Sequence, residues 1–531
     1  MEARDPPSPS DDPPWSTDDA PRAQGRDDDA AHLDPEALFA AHQRVVRLRM
    51  RAVLVALAAC CAFTAVWATL GDHVAAFSRG EIDWRGQRRF EPVHPVDRRA
   101  LAAIDMHHVH TRLLPGWVIA QARSVTPEGA ALAHRAFDQL RGAVAPDANL
   151  SALLDALHDS LADDDLVGER RRIEWLVWAY DEYLDRAGVP YRIEAGLRDS
   201  HRGVLFWSRS YRVIADVRSR SAAQTPRTRL LARVDATNVL EPYVGHSGVH
   251  EDGALVVVDR VLHFAVLEVW PLLDASADAE RRGRARGFAA AVREEAERGL
   301  GAAELALLRS TAVDVTRLVR TLDAMHARRR CGSRFVMREV PWNGLSPVAR
   351  DVLARAIVRG VGSGCPDATP REARQLVEVS QRLAQTAGLP DAVESLVAWV
   401  SRGIALHELV HVADVEHGER RERSCDGCPA SMSEIERDEL RAYLASFADA
   451  RNGAVALLQA CTLAGHPNGA NEHAFAFAAE RLLGRRGALA CDQGPPHDLH
   501  ARAADEARRL FGALPDIDTA LPERVHFLAR R

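Results

Sequence analysis

The segment Ile404-Ala-Leu-His407-Glu408-Leu-Val-His411-Val-Ala-Asp414 concentrates the residues whose types and spacing can do chemistry. Histidines four positions apart project from one face of a helix, one turn above the other, so both imidazoles can grip a single metal ion. Glu408 stands beside them, placed to take a proton from water activated by that metal. Such a set performs metal-assisted hydrolysis, in which the ion polarises a carbonyl and the carboxylate serves as base and then as proton shuttle. Leu396, Trp399, Val400, Gly403, His407, His411 and Asp414 recur at a 3–4 spacing, which predicts one helix with these residues along a stripe. Polar groups on an otherwise buried stripe need a partner, and a metal ion is an economical one. The plainer alternative is a core helix whose two histidines are satisfied by hydrogen bonds.

Written as a pattern, His407-Glu408-Leu409-Val410-His411 is HExxH, and over about residues 390–485 the chain resembles the zincin metallopeptidases. The resemblance implies a catalytic Zn2+, a protein or peptide substrate and a third protein ligand. Two subclasses offer different ligands. In the metzincin pattern the third ligand would be His417, with Asp414 where glycine is expected and Met432 imitating the methionine turn. Glycine there lets the chain turn sharply out of the helix. Val412, Ala413, Val415 and Glu416 instead predict a helix that runs on to Gly418, which would point His417 elsewhere.

In the gluzincin pattern the third ligand is a glutamate from a following helix, and Ser433–Ala448 supplies one. Ser433 and Glu436 have capping-box spacing, and Glu434 suits the positive end of the helix dipole. Glu439 has no such duty, and Ile435, Glu439, Ala442, Tyr443 and Ser446 share a face expected to point inward. The run Glu439-Leu-Arg-Ala442-Tyr443 is similar to the glutamate helix of gluzincins. The expected ligands are therefore His407, His411 and Glu439, with His417 as the alternative and Glu408 as general base. Asp414 would orient a liganding imidazole. His473 and Tyr443 are candidates for stabilising an oxyanion, and Arg334–Val340 for an edge strand that holds extended substrate. Two other histidine groups, at 107–110 and at His246 and His250, carry weaker signals because neither comes with an acidic partner pattern.

The chain that must position these residues has 531 of them, enough for two or three domains. All 68 basic residues are arginine, which excludes chemistry that needs a lysine amine, such as Schiff-base catalysis or a P-loop. Heavy use of Ala, Arg and Gly suggests a GC-rich bacterial genome. The net charge of −7 resides in residues 1–36, where eleven acidic residues face three basic ones. The remainder is near neutral, so nucleic-acid binding has no compositional support. Residues 1–43, acidic and rich in proline, read as a disordered cytoplasmic tail.

Residues 50–70 read as a transmembrane helix around the uncharged run Ala52–Leu70, long enough to cross a bilayer. Arg44, Arg47, Arg49 and Arg51 at its N-terminal edge favour a cytoplasmic N-terminus, with the rest of the chain in the periplasm or at the cell surface. A lipoprotein anchored at Cys60 is the alternative, against which the apolar run continues ten residues further. The six cysteines from Cys331 onward suit disulfides in an oxidising compartment, though Cys425-Asp-Gly-Cys428 also fits a structural zinc or a redox pair.

Residues 97–187 read as helices and 190–270 contain strands at Tyr191–Leu197, Val204–Val217 and Arg229–Asp235. Helices resume from about 279. The expected architecture is α+β and largely helical, with an accessory region at 71–330 and a zincin-like domain at 331–531. A noncatalytic membrane-anchored scaffold, its metal site structural or lost, is the rival from another class.

Overall fold

Local signals place the helix ends. The Thr126 hydroxyl accepts from the Gly129 amide and Pro127 takes the first helical position, so the chain enters a helix at Pro127–Val144. The helix Arg170–Ala187 stops at Gly188, whose φ of 73° lies in the left-handed region that favours glycine. Thr369 and Glu372 form a full capping box ahead of Pro370–Gln385, and Ser433 and Glu436 form another ahead of Glu434–Ala448.

A computed structural model gives the arrangement of these elements. It describes residues 95–123, 126–162, 166–200, 203–221, 226–235, 244–247, 253–280, 287–328, 340–359, 366–413, 415–416, 419–420, 424–463, 470–485, 491–492, 494–512 and 514–528, with isolated positions between 333 and 337. The acidic tail, the expected membrane helix at 50–70, Asp414, His417, Cys331 and Cys365 lie outside the described residues.

The fold is α+β and largely helical. After short helical turns at Arg98–Ala102, Met106–His108 and Val109–Leu113 come helices α1 (Leu114–Gln121), α2 (Pro127–Val144), α3 (Ala148–Ala162) and α4 (Arg170–Ala187). Strands β1 (Tyr191–Ser200), β2 (Gly203–Arg218), β3 (Arg227–Arg233), β4 (Gly245–His246) and β5 (Gly253–Val257) build one sheet in the order β1-β2-β3-β5-β4. β1, β2 and β3 pair antiparallel, β3 and β5 parallel, and β4 lies antiparallel to β5 at the end of the sheet. The apolar stretch 254–270 divides into β5 and a run of helical turns from Val258 to Leu272, nearly all of it buried. In the helical part Asp259, Arg260, His263 and Leu267, three or four positions apart, form the partly exposed stripe.

Helices α5 (Ala289–Gly299), α6 (Ala302–Ala327), α7 (Pro347–Arg359), α8 (Pro370–Gln385), α9 (Leu389–Ala413), α10 (Glu434–Ala448), α11 (Gly453–Leu463), α12 (Ala470–Leu483) and α13 (Leu499–Phe511) complete the chain. The expected strand at Arg334–Val340 is not formed among the described residues. Phe335 and Met337 turn into the core, but the Met337 amide donates to the His326 ring rather than to a neighbouring strand.

Two large apolar cores do most of the work, beside smaller clusters at Tyr211, Leu231, Leu255 and Val257 and at Val410, Ala442 and Ala445. One joins α1–α4 to β1 and the start of β2, from Leu101 to Phe206. The other runs from Leu230 to Phe527 and surrounds α9. Because β3, β5, α5 and α6 pack in the same core as the later helices, residue 331 coincides with no break in the packing; the change of core falls within the sheet, between Phe206 and Leu230. Ion pairs fasten the sheet to α4, with Asp185 accepting from Arg227 at 2.7 Å and Arg229 at 3.1 Å.

Helix α9 is 25 residues long and apolar enough to span a bilayer, yet most of it is buried in this core. Polar contacts grip it along its length. Glu394 accepts from the Phe527 and Leu528 amides at 3.0 and 2.9 Å, and Asn452 donates to the Trp399 carbonyl at 2.9 Å. The Cys461–Cys491 bridge ties α11 to the chain before α13, and closing that 30-residue separation contributes roughly 3–4 kcal/mol by the loop-entropy argument. Cys425 and Cys428 likewise face each other at disulfide distance, their Cα atoms 5.5 Å apart.

Glu295 on α5 is buried and caps α11, accepting from the Ala454 and Val455 amides at 2.7 and 3.2 Å. Burial raises its carboxyl from 4.5 to about 7, although the two amides pull it back. The folded chain thus binds a proton there that the unfolded chain has lost, and this group's contribution must fall as pH rises from about 5 to about 7. Urea unfolding of the wild type beside Glu295→Gln, which does not titrate, should show that slope in the wild type only; parallel profiles would refute it.

Candidate metal centre

Helices α9 and α10 bring the chemistry together. His407 and His411, one turn apart on α9, aim their Nε2 atoms to within 3.3 Å of each other. Glu439, in the second turn of α10, reaches both, with Oε2 3.3 Å from His407 Nε2 and Oε1 3.7 Å from His411 Nε2. Ligand atoms of the three residues all lie within 4.8 Å of one another, and among the described residues no other group of three or more such side chains converges this way. Donor atoms around a tetrahedral ion with bonds of about 2.0–2.1 Å stand roughly 3.4 Å apart. The observed separations match that, and the donor set of two imidazoles and one carboxylate suits a divalent ion.

Glu439 is delivered by the cap at the start of α10. Ser433 accepts from the Glu436 amide at 3.3 Å, and Glu436 Oε2 accepts from the Ser433 amide at 2.6 Å. One turn later the helix presents Glu439 inward, together with buried Ala442, Tyr443 and Ser446. Ile435, expected on the same face, is 59% exposed because the first turn projects beyond the core.

The sequence-predicted residues divide as follows. Tyr443 is at the site, its ring edge-on to His407 with centroids 4.9 Å apart, and it packs further on Phe447 and Phe475. His473 is not brought into the cluster. Its Nδ1 pairs with Glu436 Oε1 at 2.7 Å and its side chain is 71% exposed, because the capping carboxylate has an oxygen to spare at the surface. The helix continuity expected through Gly418 also fails. α9 ends at Ala413, and Val415–Glu416 pairs antiparallel with Glu419–Arg420 in a short hairpin. Glu439 therefore rests on its contacts rather than on that argument.

Burial dominates the electrostatics. It pulls the His407 imidazole down, but the hydrogen bond and charge of Glu439, with Glu408 adding, outweigh it and raise the ring above 6.5. Burial raises the Glu408 carboxyl, with His407 and His246 opposing and Glu439 reinforcing. The Tyr443 phenol is raised by burial and then by Glu439 and Glu408.

Residues 245–247 complete the surroundings, and they come from the region expected to be accessory. The Ser247 hydroxyl donates to Glu408 Oε2 at 3.0 Å across 161 positions of sequence. A Cβ on Gly245 would stand 2.7 Å from Ile404 Cγ2 and 2.8 Å from Glu408 Cγ and Oε1, so only glycine allows β4 this close to α9. The sequence signal was Gly245-His246-Ser247-Gly248, two glycines around polar residues, which any surface turn shares. Of the 107–110 group, His110 is buried against Tyr180 and Tyr191, while His107 and His108 are exposed.

Compared with protein-family models, with curated proteins and with solved structures, the chain matches none.

Binding of a metal must displace the His407 proton. Affinity for added Zn2+ should fall about tenfold per pH unit once pH drops below the raised His407 value, and the fall should begin above 6.5. Competition with a chromophoric chelator between about pH 5.5 and 8 measures this; a flat profile would show that His407 is not a ligand.

Proposed function

We propose that this chain is a zinc-dependent metallopeptidase of gluzincin type. We further propose that residues 50–70 anchor it in a bacterial membrane, with the N-terminus cytoplasmic and the catalytic part in the periplasm or at the cell surface. The observation that carries the reading is the convergence of His407, His411 and Glu439, with Glu408 adjoining His407 in sequence and partly buried, its carboxyl within electrostatic reach of that ring. A Zn2+ ion held by the three side chains would polarise a peptide carbonyl and lower the pKa of water.

The chain's own residues do the rest. Glu408, its carboxyl raised by burial, takes a proton from water and returns it to the departing amine. Tyr443 keeps its phenolic proton across the neutral range because burial and two carboxylates oppose ionisation, so it remains a donor for a developing oxyanion. β4 ends the sheet among the described residues and lies against Glu408. An extended peptide added at that edge would run beside Glu408, the part first expected of Arg334–Val340. The Cys425–Cys428 and Cys461–Cys491 bridges suit an oxidising compartment.

Substitution separates this reading from its rivals. Glu408→Gln should keep about one zinc per chain and lower peptide hydrolysis by at least about 100-fold. Glu439→Ala should lose the zinc, whereas His417→Ala should keep it. Zinc lost with His417→Ala and kept with Glu439→Ala would instead establish the metzincin arrangement. Hydrolysis undetectable in both the wild type and Glu408→Gln, with zinc bound, would establish a noncatalytic scaffold.

A further inference from the structure

We infer that Ser247 is the positioning residue of Glu408, so that the segment 245–247 belongs to the catalytic machinery and the site cannot be assembled from residues 331–531 alone. The inference rests on the metallopeptidase reading and adds a residue to it.

A glutamate side chain has three rotatable bonds, and adjacency to His407 in sequence fixes none of them. Ser247 is 8% exposed and its hydroxyl lies 3.0 Å from Glu408 Oε2, so one buried donor selects one orientation of the carboxylate. A hydrogen bond to a desolvated carboxylate is charge-assisted and stronger than one between neutral groups. The other oxygen, Oε1, faces Gly245, where a Cβ would come within 2.8 Å of it. One position in β4 and one just past its end thus divide the work: glycine admits the carboxylate against the backbone, and serine two residues later fastens one of its oxygens. A contact made only to hold strand to helix needs no carboxylate, because apolar packing such as that of Ile404 at the same strand does it without a desolvation cost.

The test uses the full chain in detergent, loaded with Zn2+, and acetohydroxamate as probe, since a hydroxamate combines metal chelation with a hydrogen bond to a neighbouring carboxylate. Zinc per chain, the unfolding midpoint and the probe's Kd are measured for the wild type, Ser247→Ala, Ser247→Cys, Ser247→Thr, Gly245→Ala and Glu408→Gln. Ser247→Ala should keep its zinc and bind the probe about tenfold more weakly, the size expected for one lost hydrogen bond to a charged group. Ser247→Cys, nearly isosteric with a weaker donor, should move the same way and serves if the alanine variant does not fold. Ser247→Thr should recover the affinity to within about twofold, because the hydroxyl returns. Gly245→Ala should weaken binding by pushing the strand away from Oε1. A probe Kd unchanged in Ser247→Ala and Ser247→Cys, with Glu408→Gln clearly weakened, overturns the role of Ser247 and leaves the metallopeptidase standing. A wild type that binds no zinc overturns the metallopeptidase and this inference together.

Discussion

Desolvation of ionisable groups at one end of α9 is the constraint around which the rest of this structure is organised. His407, Glu408 and Glu439 are partly buried and His411 is buried, and taking an ion out of solvent is costly unless it is paired. Glu439 answers the charge of His407, and Ser247 answers part of Glu408. A set of polar groups so concentrated persists only where the surrounding packing is rigid enough to hold them together.

That rigidity has identifiable sources. α9 is buried on nearly every side, so its rotation is fixed by the core. Glu394 binds it to the C-terminal segment, and Asn452 binds the carbonyl of Trp399, two turns before His407. α10 is set by its capping box, which decides where the helix begins and hence which turn presents Glu439. The same carboxylate that completes the cap, Glu436, holds His473 at the surface. The sheet enters the site through the close approach at Gly245, and its far side is held by the pairs between Asp185 and the β3 arginines.

Much of this was legible along the chain. The HExxH helix, the capping box, the glutamate left without a local duty and the strands of 190–235 all follow from contacts between residues a few positions apart, which periodicity and caps report directly. Arg334–Val340 misled because its alternation reflects burial of Phe335 and Met337 on one side, and burial alone does not provide a strand partner. The helix expected to reach Gly418 misled for the opposite reason. Nothing in Val412, Ala413, Val415 and Glu416 opposes a helix, yet Val415–Glu416 pairs with Glu419–Arg420 in a hairpin.

By itself the sequence determined the chemistry available: which side chains can bind a metal, which carboxylate can act as base, and which cannot because a cap already occupies it. These are properties of residue types at spacings shorter than a few helical turns. Only the tertiary structure decided that Glu439 reaches both imidazoles, that His473 turns to the surface, and that Gly245 stands against Glu408 and Ser247 bonds to it from 161 positions away. Such contacts depend on how a sheet and several helices share one core, and no local pattern encodes the distance between elements that meet only after the chain has folded.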